Sequence, residues 1–202
     1  NTINDGAFKD CKKLQKIKLP DTAQKLGSIL FGNCIKLTEA ELPQGIENIT
    51  AGMFAGCSSL RQFSVPETVK IIEASAFSKC SNLTNIELPD QIHTIGNYAF
   101  NECPVLKEIT LPEELECIGN SAFFGCKAVV EAIIPNKVTS IGEGAFRGCT
   151  SLVKITVPDT VTEIDRTAFY DCCMLEQFNI PENTVAIQDY TFYGCTRLSS
   201  VT

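Results

Sequence analysis

The sequence is poor in the residues on which several classes of protein depend. Its 202 residues contain one histidine and no Cys-x-x-Cys pair, so a zinc site is not expected. No apolar run approaches the roughly 18 residues of a membrane helix, so no membrane insertion is expected within this segment. Lysine and arginine total 17 against 24 acidic residues, for a net charge of -7. This balance argues against nucleic acid as a partner, because sequence-independent affinity for nucleic acid needs clustered basic residues.

The scarcity of histidine also bears on catalysis. A Ser-His-Asp or Cys-His arrangement would need His93 as its base, and that residue is expected to point outward beside Lys70 and Glu116. Pairs of carboxylates occur on single strands, as at Glu39 and Glu41, but an open sheet has no pocket that would raise the pKa of one of them. The sequence therefore predicts a protein that is not an enzyme and that uses no cofactor.

What the sequence does contain is a strict repeat. The motif Phe-x-x-Cys recurs every 23 residues, nine times, from Phe8 and Cys11 to Phe192 and Cys195. A period of this kind is typical of a solenoid whose turns stack on one another. No linker or change of composition interrupts it, which predicts one domain over residues 1–202. The chain begins and ends within a repeat, so capping repeats are expected to lie outside it.

The repeat that starts at Cys80 shows how each turn is expected to fold. Ile86 and Leu88 alternate with polar residues, which indicates a short strand with these two side chains inward. Pro89, which lacks an N–H, is expected to end the strand. Ile92 and Ile95 then form a second short apolar pair. Stacked repeats are expected to pair these strands in parallel and in register.

Two further features are predicted for the corner that follows. Gly96 offers the positive φ that a tight corner would use, although other residues stand at this position in several repeats. The stretch from Tyr98 to Cys103 is long enough for only one or two helical turns, which predicts a 3₁₀ or single α turn. Little true helix is therefore expected anywhere in the chain.

The pattern as a whole resembles the BspA-like leucine-rich repeat family, the 23-residue class found in bacterial and protist surface proteins. The resemblance covers the entire chain, with Ala40 and Ala132 in place of the usual Ile and Val129 in place of the first Leu. Residues that follow the pattern closely are Leu83, Ile86, Leu88, Pro89, Ile92, Ile95, Gly96, Ala99, Phe100 and Cys103.

This resemblance implies a fold and a role. The fold would be a leucine-rich repeat solenoid, a right-handed β/α superhelix made mostly of short parallel strands. The role would be recognition or adhesion at a cell surface or outside the cell. The ligand would be a protein of the host matrix or of the surface of a neighbouring cell. Glycan is a further possible ligand, and the resemblance implies no catalytic residues. The alternative is a passive spacer that holds another domain away from the cell.

Cysteine is expected to be structural in most of its positions. Bridges between adjacent members of the repeat column are disfavoured because their Cβ vectors should run parallel, whereas a disulfide needs a χ₃ near 90°. We therefore expect a ladder of buried, reduced thiols. Cys117 and Cys173 lie outside the column and are expected to be exposed, either as tolerated thiols or in a regulatory or intermolecular disulfide. The ladder comprises Cys11, Cys34, Cys57, Cys80, Cys103, Cys126, Cys149, Cys172 and Cys195.

The outward face of the first strand is the leading candidate for ligand contact. Ile133, with Val130 and Val153 nearby, makes an apolar spot on this face. The spot is either a contact patch or the ordinary β-propensity of a strand. The candidate contact residues are Glu39, Glu41, Glu87, Glu108, Glu131, Ile133 and Lys154.

A second candidate surface directly follows the repeated Phe in four consecutive repeats. Phe124, Arg147, Tyr170 and Tyr193 occupy this position and are predicted to form an aromatic and cation–π stripe. Such a stripe could bind protein or sugar rings. Alternatively, its members stack on one another and only stabilise the solenoid.

Overall fold

The computed structural model describes residues 1–202 as a parallel β-solenoid of about nine turns without a helix. We call each 23-residue turn a rung. Consecutive rungs pair in parallel at a constant offset, as in Glu131 with Lys154 and Ile118 with Ile141. The predicted leucine-rich repeat solenoid is therefore confirmed.

The strands are two or three residues long and number seventeen. They are β1 (Thr2–Ile3), β2 (Lys16–Lys18), β3 (Lys25–Leu26), β4 (Glu39–Glu41), β5 (Asn48–Ile49), β6 (Gln62–Ser64), β7 (Ile71–Ile72), β8 (Asn85–Glu87), β9 (Thr94–Ile95), β10 (Cys117–Ile118), β11 (Glu131–Ile133), β12 (Ser140–Ile141), β13 (Lys154–Thr156), β14 (Glu163–Ile164), β15 (Gln177–Phe178), β16 (Ala186–Ile187) and β17 (Ser200–Val201).

The strands form two columns that differ in continuity. The second-strand column contains one seven-stranded sheet, β5-β7-β9-β10-β12-β14-β16. The first-strand column is broken into the separate pairs β2-β4, β6-β8, β11-β13 and β15-β17, and residues 107–111 form no strand at all. The surface that carries the candidate contact residues is therefore interrupted at several rungs, whereas the second column is interrupted once, between β3 and β5.

A stack of phenylalanines runs through the interior of the solenoid. Phe77, Phe100 and Phe123 follow one another with ring centroids 5.4 Å apart and ring planes within 3° of parallel. Phe63 and Phe178 approach the stack from the first-strand column at tilted angles. The stack belongs to a continuous core of 51 buried residues. No rung could bury these rings alone, so the core depends on stacking.

The predicted 3₁₀ or single α turn is wrong. The segment at Tyr98–Cys103 forms successive hydrogen-bonded turns, and no residue in it is helical. The N–H groups of Tyr98 and Phe100 donate to carbonyls of the next rung at 2.9 and 2.8 Å, whereas Ala99 donates to the carbonyl three residues before it at 3.2 Å. Because alternate N–H groups are committed to the neighbouring rung, they are unavailable for the local ladder of a helix.

The left-handed position predicted for Gly96 is also wrong. Positive φ occurs two residues later, at Tyr98 with 58°, and again at Glu102 with 54°. Gly96 is needed for a different reason: a Cβ there would lie 2.8 Å from the backbone nitrogen of Ala74 on the previous rung. Close approach between rungs, rather than local conformation, favours glycine at this corner.

Two left-handed residues recur in every rung and were missed by sequence reasoning. Only some rungs place glycine at these positions, so no invariant glycine marks them. The first position is held by Gly6, Ile29, Gly52, Ser75, Tyr98, Ser121, Gly144, Thr167 and Tyr190, and the second by Asp10, Asn33, Gly56, Lys79, Glu102, Gly125, Gly148, Asp171 and Gly194.

The column cysteines make a repeated hydrogen bond as well as filling space. The thiol of Cys103 lies 3.2 Å from the carbonyl oxygen of Phe77, 26 residues earlier, and the same contact recurs at 3.1–3.3 Å from Cys34 to Cys195. Every cysteine is a free thiol. Cys11 is exposed and Cys195 half-buried because they belong to the end rungs. Each interior thiol therefore provides a donor for a carbonyl of the Phe stack.

We predict that valine at Gly148 destabilises the protein through backbone strain. Gly148 has a φ of 71°, and a Cβ there would meet only ordinary contacts of 3.7 Å. Gly148→Val should therefore lower the free energy of unfolding by about 1–2 kcal/mol, the cost of a branched residue in the left-handed region. Gly148→Asn should cost less than half as much, since asparagine tolerates this region. Urea titration measures both values.

Gly45 is the matched control, because its φ is not left-handed and a Cβ there would meet nothing within 4 Å. Gly45→Val should change stability by no more than about 0.5 kcal/mol, as expected for a surface exchange. Equal losses at Gly148 and Gly45 would contradict the account of the left-handed positions.

We also predict that stability falls steeply above pH 8.5. Burial raises the pKa of Cys57 and Cys103 to about 12, and that of Cys195 to about 11, from the usual 9.0. The folded state then retains protons that the unfolded chain loses, so stability present below pH 9 is lost progressively between pH 9 and 12. At pH 9.5 each buried thiol should cost about 0.8 kcal/mol. Urea midpoints from pH 7.0 to 9.5 measure the slope.

Two variants control for other titrating groups. Cys103→Ala should reduce the slope with pH by about one thiol's share, whatever its effect on stability at pH 7. Leu106→Ala should lower stability without changing the slope, because it removes a buried side chain that does not titrate. A wild-type midpoint that is flat up to pH 9.5 would contradict the prediction.

Candidate functional site

The candidate contact residues lie on the outward side of the first-strand column. Each three-residue strand exposes its outer two side chains, and the central one is buried, or half-buried at Ile17 and Ala40. In Glu131–Ile133, Ala132 is buried and Ile133 is 69% exposed. The alternation follows from the period of two along a strand. The core occupies the inward positions, so a ligand can be contacted only by the outward ones.

At the N-terminal end of this face the acidic residues already have partners. Glu39 and Glu41 form ion pairs of 2.5 Å with Lys16 and Lys18 of the preceding rung. The hydrogen bonds that both lysines donate to these carboxylates raise the pKa of each lysine. The pairs are exposed, so they stabilise the fold little. They do neutralise the charge that the sequence had suggested for ligand contact in this region.

Glu87 and Lys154 lie on the same face and form no ion pair. Glu87 accepts a 2.6 Å hydrogen bond from the hydroxyl of Ser64 on the preceding rung. Lys154 is paired in register with Glu131 but forms no ion pair with it. Lys154 instead borders a small cleft of about 290 Å³ near Gln177 and Asn179.

The largest cleft on this face lies where the first-strand column is interrupted. No backbone hydrogen bond joins residues 107–111 to residues 130–134. The resulting cleft, which we call the central cleft, measures about 820 Å³. It brings together Glu108, Glu131 and Ile133 from the predicted contact set, with Val130 and Glu113 beside them. The other predicted residues of the face do not line it.

The two larger clefts coincide with departures from the repeat. Alanine occupies the central inward position of the first strand only at Ala40 and Ala132, where the other rungs carry Ile, Phe or Val. Ala132 lines the central cleft, and Ala40 lines a second cleft of about 740 Å³. The second cleft contains the ion-paired Lys16 and Glu39. The alanines were the signal in the sequence that could have located both clefts.

The aromatic stripe is a continuous stack on four rungs. The guanidinium carbon of Arg147 lies 5.7 Å from the ring centroid of Phe124 and 4.5 Å from that of Tyr170. Tyr170 and Tyr193 stack at 4.8 Å, and Tyr190 meets Tyr193 edge-on at 6.1 Å. The faces of Tyr170 are therefore occupied by its neighbours, a geometry that suits stabilisation within the protein.

The remaining reactive side chains do not converge on a site. His93 is half-buried, with Nδ1 3.1 Å from the hydroxyl of Thr94. Its backbone pairs with Lys70 and Glu116, as predicted. Cys117 is exposed, whereas Cys173 is half-buried, because its thiol lies against the carbonyl of Asp171 at 3.4 Å. The expectation of exposure is thus wrong for Cys173. No group of three or more His, Cys, Asp and Glu side chains is placed to hold a metal ion.

None of the elements of this structure is a helix with the length and apolarity that a bilayer requires.

The chain is similar to a family of repeat proteins and to solved structures of bacterial leucine-rich repeat proteins. The BspA type leucine rich repeat region, in six copies, matches residues 1–130 and 118–202. The T. pallidum leucine-rich repeat protein is 26% identical, with a TM-score of 0.62 over 86% of this chain and 71% of that one. None of the curated proteins matches the chain.

Two more distant structures share the fold. A leucine-rich cell surface protein of Faecalibacterium prausnitzii is 24% identical, with a TM-score of 0.55 over 99% of this chain and 76% of that one. The pneumococcal vaccine antigen PcpA is 20% identical, with a TM-score of 0.57 over 99% of this chain and 53% of that one. The family match covers the whole repeat array, and the structure is a parallel β-solenoid, as expected for leucine-rich repeats. The chain therefore belongs to the BspA-type leucine-rich repeat family.

Proposed function

We propose that this chain is a recognition module, secreted or displayed at a cell surface, that binds another protein through the outward face of its first-strand column. The observation that carries the proposal is the central cleft, which opens this face where strand pairing is interrupted. The interior is filled by the core, so binding must use the outside. A protein ligand, rather than a small molecule, matches a face that extends over many rungs.

The surface location rests on the family and on its printed relatives. The F. prausnitzii relative is described as a cell surface protein and the pneumococcal relative as a vaccine antigen. Both descriptions suit a protein exposed to other cells. Our proposal applies the same location to this chain.

We assign no catalytic role to the module. The interior cysteines are hindered as nucleophiles because burial raises the pKa of their thiols. His93 is bonded to Thr94 on a sheet away from the central cleft. Glycan recognition by ring stacking is also not favoured, because the stripe residues cover one another's faces.

We predict that three exchanges on the first-strand face weaken protein capture at least tenfold. Glu39→Gln, Glu108→Gln and Ile133→Thr together remove one ion-paired charge, one unpaired charge and one apolar contact from exposed positions. Capture of extracellular matrix and cell-surface proteins by the immobilised chain, measured by surface plasmon resonance, gives the comparison. A central, desolvated contact typically dominates binding, so the combined loss should exceed 1.4 kcal/mol, or tenfold.

A matched triple variant on the second-strand column provides the control. Glu47→Gln, Glu116→Gln and Val185→Thr repeat the same chemistry, and Glu47 is ion-paired with Lys70 much as Glu39 is with Lys16. Val185 is 88% exposed. Capture should survive these exchanges. Loss of capture confined to the control variant would place binding on the second-strand column. No capture of any protein by the unaltered chain would favour the passive spacer.

A further inference from the structure

The central cleft combines acidic and apolar groups that have no partner within the protein. Glu108, Glu113 and Glu131 line it, and none of them forms an ion pair. The only basic residue of the lining is Lys107, so the cleft is acidic overall. This distinguishes it from the cleft at Ala40, where Lys16 and Lys18 neutralise the acids.

The apolar part of the lining lies directly beside these carboxylates. Ile133 is 69% exposed and Val130 is 47% exposed, and both belong to the same rung as Glu131. Solubility favours polar residues at such positions, and a cluster of exposed aliphatic side chains marks a contact surface. An occupant would therefore gain from covering Ile133 and Val130 with an apolar group.

Unused backbone donors form the third component. None of the backbone N–H groups from Glu108 to Leu111 donates a hydrogen bond within the protein. Within a strand pair of this column such groups are engaged by the adjacent rung, as in the pair β11-β13, whereas Leu42, Leu88 and Val157 at the gaps between pairs also have free N–H groups. Because unmet backbone donors bind readily to the carbonyls of an extended chain, this edge favours a peptide over a compact ligand.

We propose that the central cleft binds an extended segment of a partner protein in which a basic residue and an aliphatic residue, two positions apart, face the cleft together. The basic side chain pairs with Glu108 or Glu131, and the aliphatic side chain covers Ile133 and Val130. Residues two apart share one face of an extended chain, which suits the adjacent acidic and apolar groups. Charge complementarity selects this partner, and the inference rests on the proposed function of the first-strand face.

Synthetic peptides test the chemistry without knowledge of the natural partner. The probe is the capped hexapeptide Ser-Lys-Ser-Val-Ser-Lys, with Ser-Glu-Ser-Val-Ser-Glu and Ser-Lys-Ser-Ser-Ser-Lys as controls for charge and for the aliphatic group. Titration of the 15N-labelled full chain should move the amide signals of residues 107–111 and 130–133 with the first peptide only. Affinity should fall as salt rises from 20 to 200 mM, since exposed ion pairs are screened.

Single exchanges in the cleft provide the second arm. Ile133→Thr keeps a β-branched residue and should weaken the probe by about tenfold through lost apolar contact. Glu131→Gln should weaken it by about threefold at low salt, as expected for an exposed ion pair. Ile35→Thr, at a residue 41% exposed outside this face, and Glu116→Gln on the second column should leave binding unchanged. Circular dichroism verifies that every variant is folded.

Two results would overturn the inference: equal binding of the acidic peptide, or signal changes concentrated at Lys16–Glu41 rather than at the central cleft. Either could occur while the triple variant still abolishes protein capture, in which case the face binds partners of other chemistry. Conversely, capture that is insensitive to the triple variant would refute the proposed function even if the hexapeptide bound. The two failures are therefore separable.

Discussion

The whole structure depends on the way neighbouring rungs share hydrogen bonds and ring contacts at a constant offset. A single rung has strands of two or three residues, and it cannot pair its own backbone or bury its own Phe. Around Phe100, alternate N–H groups close local turns or reach the next rung. Each interior thiol also donates a hydrogen bond to the carbonyl of a stacked Phe, as Cys103 does to Phe77. Because each rung completes the previous one, a change in the repeat length would break several kinds of contact at once.

This dependence explains where function can reside. Side chains that stack between rungs are committed to the core, and the second-strand column is paired continuously from β5 to β16. The first-strand column is held together only in pairs, so gaps there cost the fold little. The hydrogen-bonded turns that end each rung, such as Tyr98–Cys103, form a layer that we call the turn layer. This layer and the second column maintain the solenoid across residues 107–111, where the first column has no strand. A binding cleft can therefore open on one face without weakening the stack as a whole.

Charge is distributed along the same face according to its local partners. Glu39 and Glu41 form ion pairs with lysines one rung earlier, whereas Glu108 and Glu131 form no ion pair. In the sequence these four residues look alike, because each is an outward glutamate in a first strand. The identity of the residue 23 positions away does not separate them by itself, because Glu131 lies in register with Lys154 and still forms no ion pair. The stripe of Phe124, Arg147, Tyr170 and Tyr193 follows the same logic, since neighbours one rung apart satisfy one another.

The sequence by itself determined the solenoid, the inward columns, the family and the stacking of the stripe, because a 23-residue period leaves one way for neighbours to align. It did not determine the backbone of the turn layer. There Tyr98 and Glu102 adopt positive φ without glycine, and Gly96 is required by the backbone of Ala74 rather than by its own φ. Ala40 and Ala132 mark the two larger clefts in the sequence, but the tertiary structure alone decided how the first column opens there and which carboxylates stay free. Those outcomes depend on contacts between rungs, and Ala132 shows its effect only once Leu111 and Ile133 are placed around it.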